Sequence, residues 1–263
     1  MAGGWILLAL VIQVFCLEQT EGRTAPVPRI TEGNAAGEES WPWQVLILYK
    51  NKQVCGGTLL CADTVLTSAY CVRYSTGPLW IRVVVGMYNR RKNEKITRGQ
   101  KRFQVKKIIL HPDYDVYAND IAIIKLTRRV KFNKYIQPIP RLADDTMDFL
   151  NKTCYTTGWG IFLSMGNFKR PNVLQEVQTP VVPNAMCQPL FDPFNIALGD
   201  DTICTKDIPK GACTGDEGGP LQCLVNKKWV HAGVTSFNTG RCGEVTIYSR
   251  TSFHRQWILE NMK

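Results

Sequence analysis

The decapeptide ACTGDEGGPL, Ala212 to Leu221, sets two adjacent carboxylates, Asp216 and Glu217, between Gly215 and the run Gly218-Gly219-Pro220. As a nucleophile toward an amide, the Glu217 carboxylate would have to form an anhydride with an amine as leaving group, uphill in both steps. Tyr70 is a second candidate for chemistry. Its phenol, with a reference pKa of about 10, stays protonated at neutral pH and cannot cycle as a general base. Thr214 adds a hydroxyl, but the sequence places no base beside it. The three histidines, His111, His231 and His254, are scattered. Nothing in the sequence links His231 or His254 to a hydroxyl. No Cys-x-x-Cys pair occurs either, so neither a zinc site nor any other cofactor is expected.

The elements that must position these groups are short and β-like. WQVLILY (Trp43 to Tyr49), WIRVVVG (Trp80 to Gly86), DIAIIKL (Asp120 to Leu126) and WVHAGVTSF (Trp229 to Phe237) are β-branched and aromatic runs separated by turn residues, an all-β pattern. Only the end spaces Phe253, Trp257 and Ile258 as one face of a helix. The stretch from Lys134 to Pro140 holds two prolines and no long strand pattern, and it marks the expected join between two β units.

The apolar run Gly4 to Leu17, followed by EQTEG, reads as a secretory signal peptide over residues 1–22. Its start carries no Lys or Arg, and an uncleaved anchor is the alternative. Ten cysteines fit an exported, oxidised protein, and removing Cys16 with the leader leaves an odd number. Asn151-Lys152-Thr153 is a glycosylation acceptor pattern. The formal charge is +10, with 32 bases and 22 acids. Loss of Glu18 and Glu21 with the leader makes the remaining chain more cationic still.

With PRITEG, CGGTLL, TSAYC, NDIAIIKL, TGWG and CTGDEGGPLQC in this order, the chain resembles the trypsin and chymotrypsin family of secreted serine proteases from about Arg29 onward. The resemblance implies two six-stranded antiparallel barrels and a C-terminal helix, with the site in the cleft between the barrels. Residues 23–29 then form a short propeptide-like segment and 30–263 the domain, barrel 1 to about 136 and barrel 2 from about 137. It also implies bridges Cys55–Cys71, Cys154–Cys223, Cys187–Cys204 and Cys213–Cys242, each stabilising by roughly 2–4 kcal/mol. Cys61 is left over, either as a partly buried thiol or as a disulfide to a second chain.

The family's chemistry needs Ser, His and Asp. Here the positions read Glu217, Tyr70 and Asp120, so two of three members are replaced. The backbone N–H groups of Gly215 and Glu217 correspond to the oxyanion hole. Two arrangements stay open: Glu217 accepts hydrogen bonds from that hole, or from Tyr70, and plugs the site while the Tyr70 side chain donates to Asp120, or Glu217 points to water in an unused site. Cleavage after Arg29 would free Ile30 to pair with Asp216, although Thr31 and Glu32 depart from the family pattern. The specificity pocket falls at Gly211, Ser236 and Asn238, with no anion at its floor and with Ser236 able to satisfy Asp120.

Between Met87 and Lys107 the chain holds Arg90, Arg91, Lys92, Lys95, Arg98, Lys101, Arg102, Lys106 and Lys107 against Glu94 alone. Calcium-binding relatives carry carboxylates in this loop; here bases replace them, so calcium is not expected. This segment, with Arg128, Arg129, Lys131 and Lys134, reads either as a solvated basic surface or as a seat for acidic proteins, sulfated glycans or microbial surfaces. No motif for reading nucleic-acid sequence appears. The leading expectation is a secreted, inactive protease homologue acting by binding, to an anionic partner or as a regulator of active proteases through a protease, inhibitor or receptor. A residual serine-type endopeptidase and a basic defence protein are the alternatives.

Overall fold

The computed structural model describes residues 34–73, 77–92, 94, 98–164, 167–206, 211–240 and 242–263. The leader, Arg29, Ile30 and Lys95 lie outside the described residues. Six strands close the first barrel: β2 (Gln44–Tyr49), β3 (Lys52–Cys61), β4 (Thr64–Thr67), β5 (Ile81–Val85), β6 (Lys101–Leu110) and β7 (Ala122–Leu126), in the order β2-β3-β4-β7-β6-β5. A two-residue strand, β1 (Asn34–Ala35), precedes them in the chain.

After β8 (Arg141–Leu142), the second sheet uses β9 (Cys154–Gly158), β12 (Gln175–Gln178), β13 (Val181–Val182), β14 (Thr202–Lys206), β15 (Pro220–Val225), β16 (Lys228–Asn238) and β17 (Val245–Arg250). A separate hairpin pairs β10 (Phe162–Ser164) with β11 (Asn167–Lys169). The path β12-β9-β15-β16-β17-β14 supplies six antiparallel strands, with β1 and β13 added at its ends. Barrel 1 closes by strand pairing, whereas the second sheet runs as an open, curved path. Pairing of β1 with β12 means that the chain enters through the second sheet before it builds the first. Lys134 to Pro140 falls between β7 and β8, at the crossing between the units.

Alternation explains the strands. On β6, Phe103 and Val105 are buried while Arg102, Gln104 and Lys106 face water, so one face fills the barrel and the other carries charge. The seam between the units is aromatic and polar together. Trp41, Trp43, Tyr155 and Trp229 stack at centroid distances of 4.8–5.9 Å. The Trp43 indole donates to Gln222 Oε1 at 2.7 Å, Trp41 to Glu176 Oε2 at 2.6 Å, and Thr157 Oγ1 to Gln44 Oε1 at 2.6 Å. In these three bonds a buried polar group of one unit meets a partner from the other, which fixes the register of one sheet on the other.

Two helices lie outside the sheets. Helix α1 (Asn184–Phe191) buries Cys187 and Phe191, and Cys187 is bridged to Cys204 on β14. Helix α2 (Arg255–Asn261) is shorter than the apolar spacing suggested. Phe253 stands before it, exposed and against the His254 ring, while Ile258 is buried. The correction has a simple cause: His254 caps the chain ahead of the helix, its Nδ1 within 2.8 Å of the Arg250 carbonyl, so Phe253 never joins the helical face. Among the described residues no helix is long and apolar enough to cross a membrane.

The four bridges 55–71, 154–223, 187–204 and 213–242 are present. Cys61 requires a correction. It is disulfide-bonded and no described cysteine is free, so the unpaired thiol expected there is not present in this structure. The expectation of a leftover thiol rested on discarding Cys16 with the leader.

Candidate active site

The site lies where β3, the end of β4, the Cys213–Pro220 turn and β16 converge. Asp120 just precedes β7 and is 2 % exposed. Its Oδ2 accepts from the Ser236 hydroxyl at 2.6 Å and its Oδ1 from the Tyr70 backbone N–H at 2.7 Å. Burial pushes this carboxyl above its ordinary range, and those two donors pull it back. Ser236 thus does what the motif implied. Tyr70 does not donate through its phenol in the described geometry. Its side chain is half exposed and lies under the Arg73 guanidinium, whose carbon is 3.7 Å from the ring centroid. Arg73 also donates to the Tyr70 carbonyl at 2.7 Å, so the cation–π contact and this bond hold the ring away from Asp120.

Glu217 turns inward. Its Oε2 accepts from the Gly215 N–H at 2.7 Å, and its own backbone N–H bonds the same carboxylate. These are the two donors that the motif assigns to an oxyanion hole. Burial raises the Glu217 pKa, and the two N–H groups and the Arg170 guanidinium oppose that rise. Gly215 has φ +100°, a conformation open to glycine, which is how the turn aims this N–H back at residue 217.

Arg170 was not singled out from the sequence. Its guanidinium nitrogens lie 3.4–3.5 Å from where a Cβ on Gly215 would stand, so it roofs the turn. Only the fold brings it there, because it follows the β10–β11 hairpin, far from residue 215 in sequence. A lone exposed arginine after a hairpin carries no motif that could have announced this.

Asp216 points away from Glu217 into a cage. Its Oδ1 accepts from the Gly160 N–H at 2.6 Å and its Oδ2 from the Cys213 N–H at 3.1 Å. Burial pushes its pKa up to about 7, with the Glu217 charge adding to the rise and Arg170 opposing it. The TGWG glycines are explained by this carboxylate. A Cβ on Gly158 would stand 1.9 Å from Asp216 Oδ1, and one on Gly160 2.3 Å from Oδ2. Gly160→Ala is therefore expected to cost on the order of 2–4 kcal/mol, read as a fall in the urea midpoint with little change in slope. An unchanged midpoint would mean that the cage is looser than these distances say.

The other motif positions are placed as follows. Gly211 borders the turn, and Asn238 accepts from the Gly240 N–H at 2.8 Å, capping its own loop at the end of β16. Asn151 is exposed in a turn with φ +58°. His111 packs against the His254 and Trp257 rings.

The fold sets His231 beside two hydroxyls that nothing in the sequence linked to it. Its ring nitrogens lie 3.1 Å from Thr58 Oγ1 on β3 and 2.8 Å from Thr251 Oγ1. The ring is fully buried and its pKa falls to about 3 through loss of solvation, so it is neutral and closed to any substrate. It ties barrel 1 to the second sheet.

The basic loop also divides. Arg98 is buried, paired with Glu38 at 3.2 Å and Glu94 at 3.9 Å, and stacked on Tyr88 and Tyr135. It is an internal strut rather than an anion-binding side chain. Arg90 donates to the Pro171 carbonyl and to Gln53 Oε1, which ties it to the second unit. Glu94 organises the loop by accepting from the Tyr88 and Asn89 N–H groups. Arg91, Lys92, Lys101 and Arg102 remain exposed.

A closed barrel joined to a curved antiparallel sheet, with this turn at the seam and a short C-terminal helix, defines the chymotrypsin-like fold. The trypsin family model matches residues 30–258, and the chain belongs to that family. It is similar to a tryptase of Mus musculus, 32 % identical over 96 % of this chain and 97 % of the relative. It is also similar to a testisin of Homo sapiens, 34 % identical over 99 % of this chain and 90 % of the relative.

Proposed function

We propose that this chain is a secreted, non-hydrolytic member of the family that acts by binding, its cationic surface meeting an anionic partner. The observation that carries the reading is the Glu217 carboxylate held 2.7 Å from the Gly215 N–H. A carboxyl oxygen already occupies the donor that a tetrahedral oxyanion would need, and no hydroxyl stands at that position to attack. Tyr70, stacked under Arg73, supplies no base. Loss of the triad in a related architecture costs on the order of a millionfold in rate. Export is supported by the four disulfides, which persist in oxidising compartments.

The test uses the full-length secreted protein, cut after Arg29, with a fluorophosphonate probe and a mixed peptide library. Neither a labelled band nor cleavage is expected. Labelling that depends on the native fold would overturn the reading.

A further inference from the structure

One groove on the outer wall of barrel 1 is untouched by the site above. It encloses about 520 Å³ and is lined by Asn51, Arg82, Arg102, Gln104, Thr127 and Arg128. That volume lies within the range of about 300–1,000 Å³ common to ligand sites. The lining is built by strand register. Arg82 on β5 stands opposite Gln104 on β6, and Arg102 is the next outward position on the same strand. Thr127 closes the far side by donating its N–H and its hydroxyl to the Gln104 carbonyl, which seats Arg128 beside β6. Arg128 is further held against the Phe103 ring at 5.5 Å, and Arg82 donates to the carbonyls of Leu79 and Ile81. The Arg82 and Arg128 guanidiniums are thus oriented by contacts of the fold, and the exposed Arg102 stands beside them through the strand register.

We propose that this groove binds a sulfated saccharide. The inference deepens the binding reading above and rests on it. Three arginines line the groove with no acid among the six residues, so its charge favours an anion. Guanidinium forks match the oxygens of a sulfate and form short, charge-assisted hydrogen bonds with them. The amides of Asn51 and Gln104 and the hydroxyl of Thr127 can donate to and accept from the hydroxyls between those sulfates. No aliphatic or aromatic side chain belongs to the lining, so an acidic peptide would find charge but no pocket for its own side chains. The exposed tip bases Arg91 and Lys92 are not part of this lining.

The experiment titrates the full-length secreted protein with a heparin-derived hexasaccharide at physiological salt. Binding is expected, weakening by roughly tenfold or more in the double variant Arg102→Gln/Arg128→Gln and by less than about twofold in Arg91→Gln/Lys92→Gln. The desulfated hexasaccharide is expected not to bind, and a glutamate oligomer of equal charge to bind at least about tenfold more weakly. The proposal is overturned if the wild type does not bind, if the tip variant loses as much as the groove variant, or if the glutamate oligomer binds equally well. Fluorophosphonate labelling of the same preparation separates the two ideas. A labelled protein that still binds the sugar sinks only the non-hydrolytic reading, and an unlabelled one that fails to bind sinks only the glycan site.

Discussion

The double variant Tyr70→His/Glu217→Ser, cut after Arg29, is expected to react with a fluorophosphonate on the order of a thousandfold faster than either single variant. The reason lies in what the site retains. Asp120 is buried and already oriented by the Ser236 hydroxyl at 2.6 Å, and the residue 70 N–H anchors it from the other side. A histidine at position 70 would find a carboxylate ready to hold its ring, and loss of the Arg73–Tyr70 stack would release the side chain toward it. A serine at 217 would remove the carboxylate from the Gly215 N–H and return that donor to the space where an oxyanion forms. Each single change leaves one indispensable part missing, because nucleophile and base act as a unit. Labelling of Glu217→Ser alone at the rate of the pair would show that another base serves the site. A pair that stays inert would show that the retained frame no longer holds catalytic geometry.

The second large effect is a pair of opposed pH dependences in stability. His231 has a folded pKa of about 3 against 6.5 unfolded. The unfolded chain binds more protons between those values, so this group destabilises the fold as pH falls from about 6.5 toward 3. Asp216 has a folded pKa of about 7 against 3.8 unfolded. Here the folded chain binds more protons, so the stability it contributes is full below about 3.8 and is lost as pH rises through 7. Between pH 7 and pH 4 each group changes stability by about 3 kcal/mol, in opposite directions. Together they nearly cancel. His231→Gln, which keeps an amide between Thr58 and Thr251, is expected to leave a protein about 3 kcal/mol more stable at pH 4 than at pH 7, relative to the wild-type difference. Asp216→Asn should show the reverse tilt. Urea unfolding of the three proteins across that range measures both slopes, and parallel profiles for all three would refute the assignment of either group.

Much of this protein is legible from local pattern. The strands over Gln44–Tyr49, Ile81–Val85 and Lys228–Asn238 follow from β-branched runs between turn residues. The replaced positions, Tyr70 and Glu217, stand inside motifs whose glycines and cysteines survive because they shape backbone. Gly158 and Gly160 must admit the Asp216 carboxylate, and Gly215 must adopt φ +100°. Such demands act within a few residues or on one close approach, so they leave a readable mark.

What only the tertiary structure decided is which of several chemically alike side chains does what. Arg91 and Arg98 share one loop and one charge, yet Arg98 is buried because Glu38 and the rings of Tyr88 and Tyr135 surround it. Arg170 gains its place over Gly215 from a hairpin remote in sequence. Arg82, Arg102 and Arg128 become one groove through the pairing of β5 with β6 and the clasp of Thr127 on Gln104. His231 meets two hydroxyls because β3 and the chain after β17 both pass its ring. Residue type and spacing determined the backbone frame, since covalent geometry and burial act locally. The meeting of charges and donors from distant strands was settled by packing, because electrostatic partners are chosen by distance in space and not along the chain.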